Sequence, residues 1–555
     1  MSKSILKNIL SIFLLSSIAF ADTVKCGDKE IGTTFEKNGQ KYLVVEDGRG
    51  KNGIYNDDIR TAIINGTQKV CTSHVTNMQY LFATESPLNI SQKISAYSNS
   101  YSSGIATTSS KQDKAVVTLL KLLDNERKYL SSKVYQALKE NGFNQSIGDW
   151  DTSNVTNMRG MFSFTSNFNQ DLNNWDVSKV EDMSFMFSFA KDFNKPLDNW
   201  DVSKVKTMRE MFEVASNFNQ PLGKWNVSNV RNMSSMFLSA SEFNYPLSDW
   251  DVSEVTDMSW MFSNATKFNQ PLNKWDVSNV VYMNMMFSGA ESFNQPLDKW
   301  NVSKVKNMSS MFSLGIFSTK GFNQNINSWD VSNVEDMSSM FSDNKKFNQP
   351  LNKWDVGKVK NMRWMFSNSK TFNQSLNSWD VSSVKNMEVM FSGAESFNQP
   401  LDKWDVSNVT NMSGMFYRAV NFNKPIGSWD VSCVTDMSNM FNSAKSFNQP
   451  LNSWNVSNVT NMVAMFHKTS KFNQALNNWN VSSVTDMDNM FSNAKSFNQP
   501  LYDWKVDNVI NMNLMFYGAE KFNQNISNWN VSKVKEYQYF AKDSKLSNEN
   551  LPKFK

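Results

Sequence analysis

The chain has 555 residues, 40% of them hydrophobic and 13% aromatic, enough for several domains or one long array of repeats. Its net charge of only +4 argues against a nucleic-acid binder. With two His and three Cys, zinc centres and His-based catalysis have almost no raw material, so no metal, no cofactor and no enzymatic activity are expected.

Residues 1–21 read as a secretory signal. Lys3 and Lys7 form a basic start, Ile9 to Ile18 an apolar run, and Ala19-Phe20-Ala21 a cleavage pattern. The expectation is export, to the cell surface or the medium, with a periplasmic location also open. No later apolar run reaches membrane-spanning length, so no transmembrane segment is expected.

Residues 22–82 form a small N-terminal α+β module that ends in a partial repeat. Two β-rich runs flank Asn38-Gly39, a hairpin signal, and "NDDIRTAIING" reads as a short helix. Met78 and Phe82 stand at positions that recur later in the chain. Cys26 and Cys71 lie in this module and are candidates for a disulfide. Residues 83–142 interrupt the pattern with a Ser-rich flexible insertion, then an amphipathic helix over about 113–140.

From residue 143 to 540 the chain repeats itself, and a polar tail, 541–555, follows. Sixteen Trp mark the repeats, from Trp150 to Trp529, each 25 residues apart except for one step of 29. The long step contains "SLGIFSTKGFN", which places four extra residues near Ile316. Phe-Asn begins seven residues before every marker Trp. Within one repeat, Trp175 and Val177 alternate with Asp176, which suits a short strand with one buried face. Met183, Met186, Phe187 and Ala190 are spaced as one stripe of a short helix, with Asp182 as its cap. A unit this short cannot bury its own apolar side, but stacked copies can. The expected fold is therefore a repeat solenoid of about 16 coils. Each coil would be a short parallel strand plus a short helix, and the N-terminal module would cap the stack.

The pattern L-x-x-W-D-V-S-N-V-T-N-M-x-x-M-F-x-x-A-x-x-F-N-Q-P resembles the repeat of BspA-like bacterial surface proteins. That resemblance implies a leucine-rich-repeat-like solenoid, a surface or secreted location, and adhesion to host or neighbouring cells.

Two sets of residues are candidates for contact. The residue after the marker Trp is acidic in most coils, as at Asp176, Asp201, Asp276, Asp355 and Asp405, and would form a polar stripe. It could bind Ca²⁺ or a basic partner, or serve as a ladder of hydrogen bonds between coils; the interspersed Asn residues fit the ladder better. The second set is the position two residues after the first Met, whose occupants differ from coil to coil. On a helix it would face away from the core, which makes Phe185, Trp260, Met285, Trp364 and Leu514 candidate anchors for an extracellular protein or glycan ligand. The functional expectation is an exported binding protein, an adhesin by preference. A structural spacer or surface-layer component is the alternative, and a glycan-acting enzyme the least favoured reading.

Overall fold

The computed structural model describes residues 23–83 and 132–554. The signal-like segment, most of the 83–142 insertion and the first part of the expected 113–140 helix lie outside the described residues. The chain divides into two compact units, Met1–Asn229 and Val230–Lys555.

The first unit opens with a three-stranded sheet, β1 (Thr34–Lys37), β2 (Gln40–Glu46) and β3 (Lys69–His74), in the order β1-β2-β3. β1 and β2 are antiparallel around Asn38 and Gly39, both with positive φ, the backbone that a two-residue hairpin turn requires. β2 and β3 are parallel, joined through α1 (Asp57–Ile64), whose first amides bond to the Asn56 side chain. A second helix, α2 (Ser132–Asn141), packs on α1. A disulfide joins Cys26 to Cys71. The module seats directly on the first coil: Val24 N–H donates to Asp149 O (2.8 Å), Tyr42 Oη to Asp149 Oδ2 (2.9 Å), and Ser73 Oγ to Asp151 Oδ2 (2.6 Å).

Both units then repeat one coil. In the coil running from Leu401 to Phe422, Leu401, Trp404, Val406, Val409, Met412, Met415, Phe416, Ala419 and Phe422 are all buried. The marker Trp rings stack from coil to coil, with centroids 6.3 Å apart at Trp200–Trp225 in the first unit and 6.5 Å at Trp379–Trp404 in the second. Indole N–H groups along the column also donate backwards, as Trp404 Nε1 does to Leu376 O (2.9 Å), so a buried polar atom is satisfied within the column. Phe pairs stack within coils, such as Phe391–Phe397 at 4.1 Å, and between them, such as Phe391–Phe416 at 5.8 Å.

The local backbone differs from the expected strand and helix. The Trp-x-Val segments are not strands, and the Met-x-x-Met-Phe segments are not helices but successive turns. Parallel pairing occurs instead at single residues just before the first Met, as at Asn157↔Asp182 and Asn411↔Asp436. From there the amides alternate. Met412, Gly414, Phe416 and Arg418 donate to the next coil's Asp436, Ser438, Met440 and Asn442 (2.7–3.1 Å). Met415, Tyr417 and Ala419 donate within the coil to the carbonyl three residues back (3.0–3.2 Å). A helix would keep every N–H for its own turn; here half of them hold the neighbouring coil, and all are still paired. The Met-Met-Phe-Ala spacing puts one face inward in either arrangement, which is why it reads as helical.

The Phe-Asn corners carry a second ladder. Asn398 Oδ1 accepts the Asn423 amide (3.0 Å), and Asn423 Oδ1 accepts both the Asn448 amide (2.9 Å) and Gln449 Nε2 (3.0 Å). The stack's last coil is covered rather than followed by a free tail: Phe554 stacks on Tyr537 (4.4 Å), and Ser547 N–H donates to Asn523 Oδ1 (3.1 Å).

These contacts predict the stability of single changes. Trp354→Ala removes a buried ring stacked on Trp329 and Trp379 together with its bond to Ile326 O, and should cost roughly 3–5 kcal/mol. Asp405→Ala, on the exposed stripe, should cost about 1 kcal/mol. Denaturant unfolding of the two variants checks this, and equal losses would contradict the inward Trp column.

Candidate functional site

The turn ladder imposes a rule on the contact candidates. Phe185, Trp260, Met285, Trp364 and Leu514 all have positive φ, between 55° and 61°. So do the other residues two after a first Met, among them Glu210, Ser235, Val389 and Gly414. A second left-handed column lies four residues further on, at Phe189, Asn264, Asn368 and Arg418. Left-handed backbone costs a non-Gly residue about 1–2 kcal/mol, so these positions vary in side chain but not in conformation. The amides at these positions are among those that reach across to the next coil, and that bonding holds the conformation.

The conformation also aims the side chains. A Cβ added at Gly289, Gly393 or Gly518 would collide with Asn264, Asn368 or Asn493 of the coil before, and one added at Gly414 would come within 3.1 Å of Val389 Cγ2. Residues in these columns thus lean onto the following coil instead of standing away from the stack. Phe185, Trp260, Met285, Trp364 and Leu514 are accordingly only partly exposed, where a helical face would have exposed them fully. Four of them belong to the second unit, and Phe185 to the first.

In the first unit the column becomes an aromatic–cation stack. The Arg159 and Arg209 guanidinium groups lie over the Phe185 ring at 4.6 and 5.2 Å. Arg159 also bonds Tyr80 Oη (3.1 Å), and Phe164 stacks on Phe189 (4.4 Å) in the adjacent column. The sequence reading missed this cluster, although Arg159 and Arg209 share one position next to the variable column. Glu213 is half-buried beside Glu210; desolvation first, then that neighbour, push its carboxyl well above the usual range, and Ser188 Oγ donates to it (2.8 Å). In the second unit, Arg363 lies over Trp364 (5.6 Å) and pairs with Glu388 (2.9 Å), while the Trp364 indole N–H is buried and meets no acceptor among the described residues.

The polar stripe shapes turns within its coils instead of forming a ladder between them. Asp176, Asp201, Asp276, Asp355 and Asp405 each accept the backbone N–H two residues ahead in their own coil, at 3.0 Å. Asn takes the same role, as Asn301 does toward Ser303 (3.2 Å). These bonds shape a turn within the coil; the ladder between coils is that of the Phe-Asn corners. Hydrogen bonds from Ser203 and Ser278 hold the Asp201 and Asp276 carboxyls below the ordinary range. Among the described residues no group of three or more His, Cys, Asp or Glu is placed to hold a metal ion. The hollows beside the stripe are open and polar, one lined by Trp379, Asp380, Lys403 and Asp405. The Asp380 carboxyl there is also held low, by Ser382.

The family model described as "Mycoplasma protein of unknown function, DUF285" matches five overlapping stretches, residues 131–246, 220–319, 315–403, 373–476 and 449–554. These cover well over half of the chain, which belongs to the DUF285 family and is a tandem-repeat protein. No curated protein matches it. Among the described residues no helix is long and apolar enough to cross a membrane.

The column rule is testable at Gly393, where φ is 65° and an added Cβ would lie 2.3 Å from Asn368 Oδ1. Gly393→Ala should cost at least about 1–2 kcal/mol from the left-handed backbone alone. Adding Asn368→Gly should return part of any loss beyond that. Thermal melts of the single and double variants check both, and a neutral Gly393→Ala would contradict the assignment.

Proposed function

We propose that this chain is an exported binding protein of the cell surface or the medium, an adhesin that contacts a protein or glycan ligand through the turn-ladder side of its coils. One observation carries the reading. The residues that repeat are all consumed by the core, the Asx turns and the Asn ladder. Residues that differ from coil to coil fill the left-handed columns at the surface, among them Trp260, Met285, Trp364 and Leu514 in one unit and Phe185 in the other. Selective recognition needs such differences, and partly exposed aromatic side chains are the usual anchors.

Three further points support the reading. The N-terminal 21 residues have the signal pattern, and the Cys26–Cys71 disulfide suits an oxidising compartment. The resemblance to BspA-like, leucine-rich-repeat surface proteins points the same way. The stripe carboxylates are tied into turns, and those of Asp201, Asp276 and Asp380 are held below the ordinary range, which disfavours these three as the general acid of a glycan-acting enzyme, since that role needs a raised pKa.

Trp260 and Trp364 lie in one unit, four coils apart, roughly 20 Å at a ladder spacing of ~4.8 Å, so one partner can span both. The double change Trp260→Ser, Trp364→Ser should weaken attachment of the purified chain to cells or to a glycan and matrix-protein array by at least tenfold, with the melting curve little changed. Unaltered attachment would remove these columns as the contact surface. Absence of any attachment by the unmodified chain, together with self-association, would favour a structural spacer instead.

A further inference from the structure

The four-residue insertion in the second unit builds a feature that no other coil has. Ser318 N–H closes a turn on Gly315 O (2.9 Å), and the two central residues of that turn point out: Ile316 is 60% exposed and Phe317 89% exposed. Phe317 is the most exposed large apolar side chain among the described residues.

The loop is held from the coil that follows. Most coils place Ala where Asn344 stands, a residue with no exposure at all. The Asn344 amide donates to Phe322 O (3.0 Å), and Gly321 (φ 146°) makes room for its side chain, since a Cβ there would lie 2.5 Å from Asn344 Oδ1. Lys345 Nζ donates to the carbonyls of Ile316 and Ser318. Leu314 meanwhile keeps its ladder bond to Ser342 O (2.9 Å), so the insertion leaves the stack in register. Dedicated groups on a neighbouring coil thus fix an apolar tip in the solvent, an arrangement that costs free energy unless the tip is covered in use.

The surroundings say what covers it. The tip is convex, so its partner must receive it. The hollows at Trp379–Asp405 and Asp298–Lys353 are polar, which argues against a second copy of this chain. Lys345 is bonded to the loop, Lys320 lies two residues beyond its turn and Lys346 follows Lys345 in the chain, with Lys320 and Lys346 exposed. Lys320 Nζ reaches Ser292 Oγ on the coil before (3.4 Å), next in sequence to Glu291, while Asp343 on the coil after is buried and bonded by Asn368. An apolar tip within a collar of cations matches the acyl boundary and phosphates of an anionic lipid surface. We propose that the Ile316–Phe317 loop inserts peripherally and reversibly into anionic bilayers, with Lys320 and Lys346 against the headgroups. This goes beyond the adhesin reading and does not rest on the Trp260 and Trp364 columns.

The test is cosedimentation of the full chain with vesicles of phosphatidylcholine alone and with added phosphatidylglycerol. Binding to the anionic vesicles should exceed binding to the neutral ones and fall with salt. Phe317→Ser should reduce it at least tenfold with an unchanged melting temperature, and Lys320→Glu with Lys346→Glu should remove the preference for anionic lipid. Phe317→Trp should gain fluorescence that brominated acyl chains quench. Trp260→Ser, Trp364→Ser should bind vesicles like the unmodified chain. No vesicle binding by the unmodified chain, or equal binding by Phe317→Ser, would overturn the proposal. Loss of cell attachment by Phe317→Ser without any vesicle binding would overturn it in favour of a protein pocket.

Discussion

Within each unit the coils depend on one bonding choice: alternate amides between the first Met and the recurrent Ala position serve the neighbouring coil instead of their own. Met412, Gly414, Phe416 and Arg418 donate forward, while Met415, Tyr417 and Ala419 close turns. That choice goes with left-handed backbone at two places in most coils, filled by residues as ill-suited to it as Val389 and Trp364. The strain is tolerated because each such amide gains a partner that burial would otherwise deny it. The Trp and Phe columns then fall into register, since the ladder sets one coil's height over the next.

Much of this was legible in the sequence, for a definite reason. The period, the inward Trp and the Met-Met-Phe-Ala stripe follow from which side chains repeat, and burial follows from hydrophobicity. The backbone did not follow. An i, i+3, i+4, i+7 stripe is shared by a helix and by a run of turns, and left-handed positions announce themselves only when Gly fills them. Gly160, Gly289, Gly393, Gly414 and Gly518 were that signal, diluted among larger residues. The D-V-S of the stripe was likewise an Asx-turn signature, an acceptor two residues before the amide that it takes up. Reading it as a surface feature separated Asp176 and Asp405 from their own coils.

The same economy narrows where function can reside. A repeat that commits its Asp to turns, its Asn to corners and its aromatics to the core leaves few side chains unassigned. The exceptions are informative because they break the pattern: the Arg159–Phe185–Arg209 stack, Trp364 with its unmet donor, and Asn344, which gives up the usual Ala to brace an inserted loop. Both ends of the repeat are likewise marked by departures, Ser73 and Tyr42 against the first coil in one unit and Phe554 against the last in the other.

The central claim is that the backbones of successive coils pair through the Met-to-Ala segment and not through Trp-x-Val. Hydrogen–deuterium exchange resolved to short peptides tests it directly within one coil of the second unit. The account predicts that amides from Met412 to Ala419 exchange slowest, because each is bonded within its coil or to the next, while those from Asp405 to Ser407 exchange faster. Slower exchange at Trp404–Val406 than at Met412–Ala419 would contradict it and restore a strand ladder at the Trp column.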